Sequence, residues 1–331
     1  MSHAWRGGLA AAASNQFSGR SSWLPWTVEF HPRYTIAFPL TDAAAHVPGN
    51  TPDSLDGMSE AVCAVCGTPE YRVFLRQEPY AIVACGRCGF RYLWPRPGAA
   101  EIRALYQEEY FRNDDSVARG YASYDAEADN WRATFRDRLV HLPATRGRSL
   151  LDVGAATGFF VEQARLAGWE AEGVEPSEWA AQYARERLAQ PVRQGTLDEA
   201  AYPDASFDVV TMWEVIEHVP DVRAVLAEVA RVLKPGGYLV LSTPDAGSAA
   251  AALSGTRWLG WRKIPEHLSY FDLPSLRRVL GDAGLEVVRS RYASLTVTWG
   301  FALQRLADLT GAGWIGRAPQ GTPCCSAVAC R

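Results

Sequence analysis

From residue 148 onward the chain alternates two hydrophobic periods. Short apolar runs at 149–153, 170–175, 192–194, 207–213 and 238–243 read as strands. Between them apolar residues recur at helical spacing. Phe160, Ala164 and Ala167 form one such face before Gly168. Val222, Val225, Leu226, Val229 and Leu233 form another, with Asp221 placed to cap it and Lys-Pro-Gly-Gly at 234–237 to end it. Leu276, Val279, Leu280 and Ala283 form a third after Asp272, followed by a sixth strand at 285–291. Strands alternating with helices predict an α/β fold: a doubly wound, mostly parallel sheet with helices on both faces.

The chain before this core divides by pattern. Trp131, Phe135, Leu139 and Leu142 predict a helix with one buried face inside a cap or lid of residues 98–147. A tyrosine-rich stretch precedes it (Tyr106, Tyr110, Phe111, Tyr121, Tyr124) and reads as lid packing. Residues 1–57 have no sustained period and are expected to be a disordered or non-native extension upstream of a natural start at Met58. A transit peptide is the second reading, because residues 1–28 hold Arg6 and Arg20 but no Asp or Glu.

Residues 58–97 carry a different chemistry. Cys63-x-x-Cys66 and Cys85-x-x-Cys88 stand eighteen residues apart, each pair followed by a glycine (Gly67, Gly89). Two cysteines at this spacing can hold one ion from a tight turn, and two such knuckles complete a tetrahedron. A closed four-thiolate zinc site has no open position, so the expected role is structural. Tyr71, Val73, Leu75 and Ile82 suit a small hairpin between the knuckles, giving a zinc-ribbon-like module.

Composition narrows the class. The 331 residues are 48% hydrophobic and carry a formal net charge of -4, so there is no global basic field for nucleic acid. No window approaches the roughly 18 consecutive apolar residues of a membrane span. The seven cysteines do not form an even disulfide framework, which points to a reducing, cytoplasmic setting.

The candidate ligand loop lies at 150–158. The first strand ends in Asp152 and turns through Gly154 and Gly158 into the helical pattern at Phe159. A strand, a glycine turn and a helix start bring backbone amides to a ligand at the carboxyl end of the sheet. A dinucleotide would require Gly-x-Gly-x-x-Gly and an acidic residue about twenty residues on. Glu175 meets the second condition. Ala156 and Phe159 stand where the later glycines should be. The turn suits a ligand without a diphosphate.

Taken in order, Leu-Leu-Asp-Val-Gly-Ala-Ala-Thr-Gly (150–158), Gly-Val-Glu-Pro-Ser (173–177), Phe-Asp-Val-Val (207–210), Glu-His-Val (217–219) and Leu-Lys-Pro-Gly-Gly (233–237) resemble class I methyltransferases dependent on S-adenosylmethionine (SAM). With the double Cys-x-x-Cys, the chain is similar to bacterial members with an N-terminal zinc-binding segment. Glu214-x-x-Glu217-His218 also resembles the ubiquinone-pathway O-methyltransferases. The resemblance implies a Rossmann-like seven-stranded sheet over 148–331. Its last strand would run antiparallel between strands five and six, supplied by 324–330 with Cys324, Cys325 and Cys330 in the core. It implies that Asp152, Gly154, Ala156 and Gly158 surround the methionine part of SAM and that Glu175 takes the ribose hydroxyls. Thr196 and Leu197 would stand near the adenine, and Trp213 at the end of strand four would line the same pocket. In the ubiquinone-type enzymes the Glu-x-x-Glu-His pattern is associated with a divalent metal, here Glu214, Glu217 and His218.

Methyl transfer from a sulfonium is an in-line displacement, and a hydroxyl acceptor gains from a general base. His218, beyond strand four, and His267, after an acceptor-side insert at about 246–272, are the catalytic candidates. The leading expectation is methylation of a small-molecule hydroxyl: a quinol, phenol, sugar or secondary metabolite. Trp258, Trp261, Tyr270 and Phe271 would suit an aromatic acceptor. One alternative is an RNA methyltransferase docking RNA through the zinc module, which the acidic charge opposes. Another is a non-catalytic SAM-binding or zinc-mediated interaction protein, which an intact Asp152, Gly154, Gly158 and Glu175 oppose.

Overall fold

A computed structural model describes residues 62–105 and 128–293, together with the backbone of Cys324–Cys330. The expected extension, the tyrosine-rich stretch and the side chains of the terminal cysteines lie outside the described residues. No helix among the described residues is long and apolar enough to cross a membrane.

The first layer is a small antiparallel sheet of β1 (Tyr71–Gln77), β2 (Tyr80–Cys85) and β3 (Arg91–Trp94). Helix α1 (Ala99–Leu105) follows it, and helix α2 (Ala128–Leu139) leads into the core. The core sheet contains β4 (Ser149–Val153), β5 (Glu170–Glu175), β6 (Val192–Gln194), β7 (Phe207–Trp213) and β8 (Leu233–Pro244). Strands β10 (Glu286–Ala293) and β11 (Cys324–Cys330) complete it. The seven strands lie in the order β10-β11-β8-β7-β4-β5-β6. Strand β11 is antiparallel to both neighbours, and the pairs among β4 to β8 are parallel. This is the seven-stranded arrangement that the resemblance implied. The strand order turns back between β4 and β7, so their carboxyl ends open the crevice where α/β folds bind ligands.

Helices α2, α3 (Phe159–Leu166) and α4 (Glu178–Glu186) cover one face, packing Phe135, Phe160, Ala164 and Ala181 over Leu150 and Val209. Helices α5 (Val222–Val232) and α7 (Leu273–Asp282) cover the other, with Leu226, Val229, Leu276 and Leu280 over Leu151 and Val210. Asp221 caps α5 by accepting from Ala224 N at 3.0 Å, as its position predicts. Asp272 caps α7 within a reciprocal capping box with Ser275. Strand five begins earlier than its apolar run: Leu233 already pairs with Phe207, and Lys-Pro-Gly-Gly then bulges out of the ladder, with Gly236 at φ 77, before pairing resumes between Tyr238 and Val209.

The small sheet is not a separate body. Its fourth strand is β9 (Ser269–Tyr270), contributed from the acceptor-side insert and paired with β3. Alternation along β2 and β3 explains the docking. Val83 and Tyr92 join the α5/α7 core, while Ile82 and Leu93 face the insert. Arg223 at the start of α5 donates to the carbonyls of Ala64 and Val65 and bonds Asp282, tying the first cysteine knuckle to α5 and α7. The insert itself forms a short helix α6 (Ala249–Ser254) and two 3₁₀ turns. Trp258, Trp261, Tyr270 and Phe271 are all buried. Trp258, Trp261 and Tyr270 cover the insert-facing side of the small sheet, and Phe271 sits in the α5/α7 core. The expectation that these aromatics line an acceptor site is therefore corrected. A two-sided sheet needs apolar cover on both faces, and they supply it.

Candidate functional site

The loop after β4 is built by close packing. Gly154 takes φ +73, and a Cβ there would lie 2.5 Å from Val215 Cγ2. Ala156, where a second glycine was looked for, holds the left-handed φ of 45, a conformation costly for alanine and tolerated where neighbours fix it. The fixing neighbour is Glu175. Its Oε2 accepts from Ala156 N at 2.9 Å and its Oε1 from Ser177 N at 2.8 Å. One carboxylate at the end of β5 thus pins the β4–α3 loop and the start of α4, and each oxygen retains a further lone pair. Asp152 is buried below it and accepts from Thr211 Oγ1 at 2.6 Å. Burial pushes Asp152 up to about 8, against the Thr211 hydroxyl and with the charge of Glu175 adding to it. Burial likewise lifts Glu175 to about 7, against the two backbone amides.

The remaining loop candidates surround the same mouth. Gly195 N donates to Glu175 O at 2.9 Å, which places Thr196 and Leu197 beside the acid. Leu197 is buried; the Thr196 hydroxyl bonds Asp198 at 2.6 Å. Trp213 stacks edge-on against Phe160 with centroids 5.2 Å apart. Two buried polar atoms here, Thr157 Oγ1 and Trp213 Nε1, have no partner among the described residues. A polar ligand would satisfy such atoms at a cleft otherwise closed by packing.

Beyond β7 the chain turns sharply. Glu214 adopts φ 56 and accepts from Ser242 Oγ at 2.6 Å, so its carboxylate points back to β8. A 3₁₀ turn then presents Glu217 and His218. Glu217 is buried, accepts from Thr243 Oγ1 at 2.9 Å through Oε2, and leaves Oε1 without a hydrogen bond among the described residues. Burial, and then the neighbouring Glu214, raise its pKa well above the usual carboxylate range. His218 Nδ1 lies 2.9 Å from the Glu266 carbonyl, so Nδ1 carries the proton and Nε2 is the acceptor, 3.9 Å from Glu217 Oε1. His267 meets His218 edge-on with centroids 4.8 Å apart. Ligating atoms of Glu217, His218 and His267 all fall within 4.8 Å of one another. Burial lowers both histidines, His218 to about 3 and His267 well below its ordinary value, so both stand neutral.

The structure thus joins the two histidines that the sequence only nominated separately, and replaces Glu214 by His267 in the carboxylate–imidazole cluster. No sequence signal pairs positions 218 and 267. Backbone bonds do: Leu93 N donates to Leu268 O at 3.0 Å, and Leu268 N to Glu217 O at 2.8 Å.

At the other end of that relay the four cysteines converge. Cys63 Sγ lies 3.6 Å from Cys88 Sγ, Cys66 Sγ lies 3.4 Å from Cys85 Sγ, and all four sulfurs fall within 4.8 Å. A tetrahedral zinc with Zn–S near 2.3 Å sets sulfurs about 3.8 Å apart. The knuckles repeat one geometry: Gly67 N bonds Cys63 O at 2.8 Å and Gly89 N bonds Cys85 O at 3.0 Å.

Comparison with known proteins fits this site. A family model described as a methyltransferase domain matches residues 124–290. The chain is 33% identical over 152 residues to the ubiquinone biosynthesis O-methyltransferase of Thiobacillus denitrificans, covering 42% of this chain and 65% of that one. It is 34% identical over 178 residues to the protein of the same name from Bradyrhizobium sp., covering 48% and 69%. A malonyl-[acyl-carrier protein] O-methyltransferase of Serratia marcescens is 33% identical over 135 residues, covering 40% and 52%. The chain spans roughly half to two thirds of the length of these curated relatives. A SAM-dependent methyltransferase of Archaeoglobus fulgidus is similar in structure, with a TM-score of 0.45 and 19% identity over 62% of this chain and 94% of that one. With the switch-point loop, the seven-stranded order and the family match together, the chain belongs to the SAM-dependent methyltransferases.

Proposed function

We propose that this enzyme transfers the methyl group of SAM to a hydroxyl of a small molecule, with the donor on the Asp152–Glu175 loop and the acceptor at Glu217, His218 and His267. The observation that carries the reading is the pair of buried, neutral imidazoles beside the carboxyl ends of β7 and β8. In the donor pocket the roles fall to Asp152, Gly154, Ala156, Gly158 and Trp213 around the methionine part. Glu175 takes the ribose, and Thr196 and Leu197 stand near the adenine. The matched O-methyltransferase names of several relatives support oxygen as the acceptor atom.

The chemistry asked of the chain is limited. The carbon–sulfur bond breaks with its electron pair going to sulfur, and the acceptor oxygen forms the new bond to the methyl carbon. The hydroxyl proton passes to an imidazole, and the bond from His218 Nδ1 to the Glu266 carbonyl supports His218 Nε2 as its acceptor. Burial keeps the imidazole unprotonated before the acceptor arrives, and excludes the water that would compete for the methyl group. The Glu217 oxygen that has no hydrogen bond among the described residues and the two imidazoles also suit a Mg²⁺ or Zn²⁺ ion, which when bound would polarise the acceptor hydroxyl.

The cysteine cluster supports a structural zinc that holds β2, β3 and, through β9, the acceptor mouth. The absence of a disulfide among these four described cysteines agrees with residence in the reducing cytoplasm. RNA as acceptor draws less support, since the small sheet buries one face in the core and the other under the insert.

Three outcomes are expected. His218→Ala and His267→Ala should each bind SAM as the unaltered protein does, yet transfer labelled methyl to a hydroxyl acceptor about 10²–10⁴-fold more slowly; unchanged turnover removes that residue from the mechanism. Elemental analysis should find zinc bound to the purified chain and lost in Cys63→Ser/Cys85→Ser, with acceptor turnover falling further than SAM affinity. The third concerns pH. Asp152 and Glu175 bind protons more tightly folded than unfolded, so the stability they supply is full near pH 4 and is lost as pH rises through about 7 to 8. Urea melts without donor should therefore show stability falling across that window, and Asp152→Asn, which keeps an acceptor for Thr211, should flatten the slope.

A further inference from the structure

A cavity on the α2 face of the sheet, sharing Trp213 with the proposed donor pocket, collects positive charge. Arg138 and His141 enter it from the end of α2, Arg289 and Arg291 from β10, and Trp213 and Val240 form its floor. The sheet register fixes the arrangement. Arg291, Ser326, Ser242 and Trp213 stand in one row across β10, β11, β8 and β7, and Arg289, Val328 and Val240 align in another. Residues two apart on a strand share a face, so both β10 arginines accompany Val240 and Ser242 on the α2 side.

Arg138 is only 4% exposed. Its guanidinium stacks on Trp213 at 4.8 Å and reaches Ser242 Oγ only at 3.5 Å, and its Nε has no hydrogen-bond partner among the described residues. No carboxylate among the described residues forms an ion pair with it. The titratable groups lining the cavity are three guanidiniums and the His141 imidazole; Asp137 lies 3.8 Å from His141 Nε2, and buried Asp152 is the carboxylate whose charge acts on Arg138. Asp137 also faces Arg291, while Arg289 and Arg138 repel it. A guanidinium cannot shed its charge to relieve such crowding. The unsatisfied, almost fully buried Nε and the like-charge cluster therefore point to the same missing component, an anion.

We propose that this cavity is a binding site for a multiply charged anion bearing phosphate or carboxylate groups, held by Arg138, Arg289 and Arg291. The planar forks of arginine match both oxyanions bidentately, and the Trp213 ring closes the apolar side. The site borders the donor pocket at Trp213, and saturation with S-adenosylhomocysteine distinguishes it from the position of the donor's own carboxylate. It shares Ser242 with Glu214, so occupancy can be sensed at the turn that carries Glu217 and His218.

The test is calorimetric titration of the full chain with inorganic pyrophosphate and, separately, citrate. Saturable binding of at least one of the two is expected. It should weaken tenfold or more in Arg289→Gln/Arg291→Gln and persist unchanged with S-adenosylhomocysteine at saturation. Pyrophosphate alone would assign the site to phosphate groups, citrate alone to carboxylates. Binding of S-adenosylhomocysteine by the double variant reports that it has folded; if it has not, Arg289→Lys/Arg291→Lys keeps the charge without the forks and should weaken binding severalfold. No saturable binding to the unaltered chain, equal binding by the glutamine variant, or displacement of the anion by S-adenosylhomocysteine overturns the proposal. The last outcome would hand the arginines to the donor's own carboxylate.

Discussion

The structure turns on one carboxylate. Glu175 spends an oxygen on Ala156 N and the other on Ser177 N, and so holds two helix-leading loops at fixed separation. Without those bonds Ala156 has no reason to remain left-handed, since alanine gains nothing there by itself. The loop's remaining constraints are steric: Gly154 against Val215, and Gly158 against Ala184. Hydrogen bonds to a buried, ionised carboxylate are among the stronger ones available. Its raised pKa reflects the opposing cost of keeping a charge out of water.

A second constraint links the ends of the molecule. The cysteine knuckles shape β2 and β3, β3 pairs with β9, and Leu268 bonds Glu217 O. The proposed zinc, at a site without an open position, would contribute to the reaction by fixing the wall on which His267 stands. Small modules of this size lack enough core to hold such geometry alone, which gives the staple its purpose. The docking of Arg223 on the first knuckle makes the same connection from the other side.

Much of this was legible in the sequence because local period and local chemistry agreed. Strands β4, β5, β6 and β7 match their apolar runs residue for residue, and the caps at Ser177, Asp221 and Asp272 fall where a short polar side chain precedes a helical face. The double Cys-x-x-Cys foretold the convergence of four sulfurs. What stayed hidden was set by pairing between distant segments. His218 and His267 meet only because β3 recruits β9, and a two-residue strand leaves no periodic signal. The aromatics at 258–271 looked like a ligand surface because nothing local distinguishes a cleft wall from a core. The arginine cavity joins α2 to an edge strand across more than a hundred residues, and arginines on a strand ordinarily read as a solvated face.

The account is tested most directly at Glu175, by calorimetric titration of SAM into Glu175→Gln beside the unaltered protein. The amide can accept through one oxygen but must offer a donor to Ala156 N or Ser177 N, and it presents a neutral group to the ribose hydroxyls. SAM affinity should fall at least tenfold, with near-ultraviolet circular dichroism preserved. Binding of SAM by Glu175→Gln as tightly as by the unaltered protein would contradict the assignment of the donor to this loop.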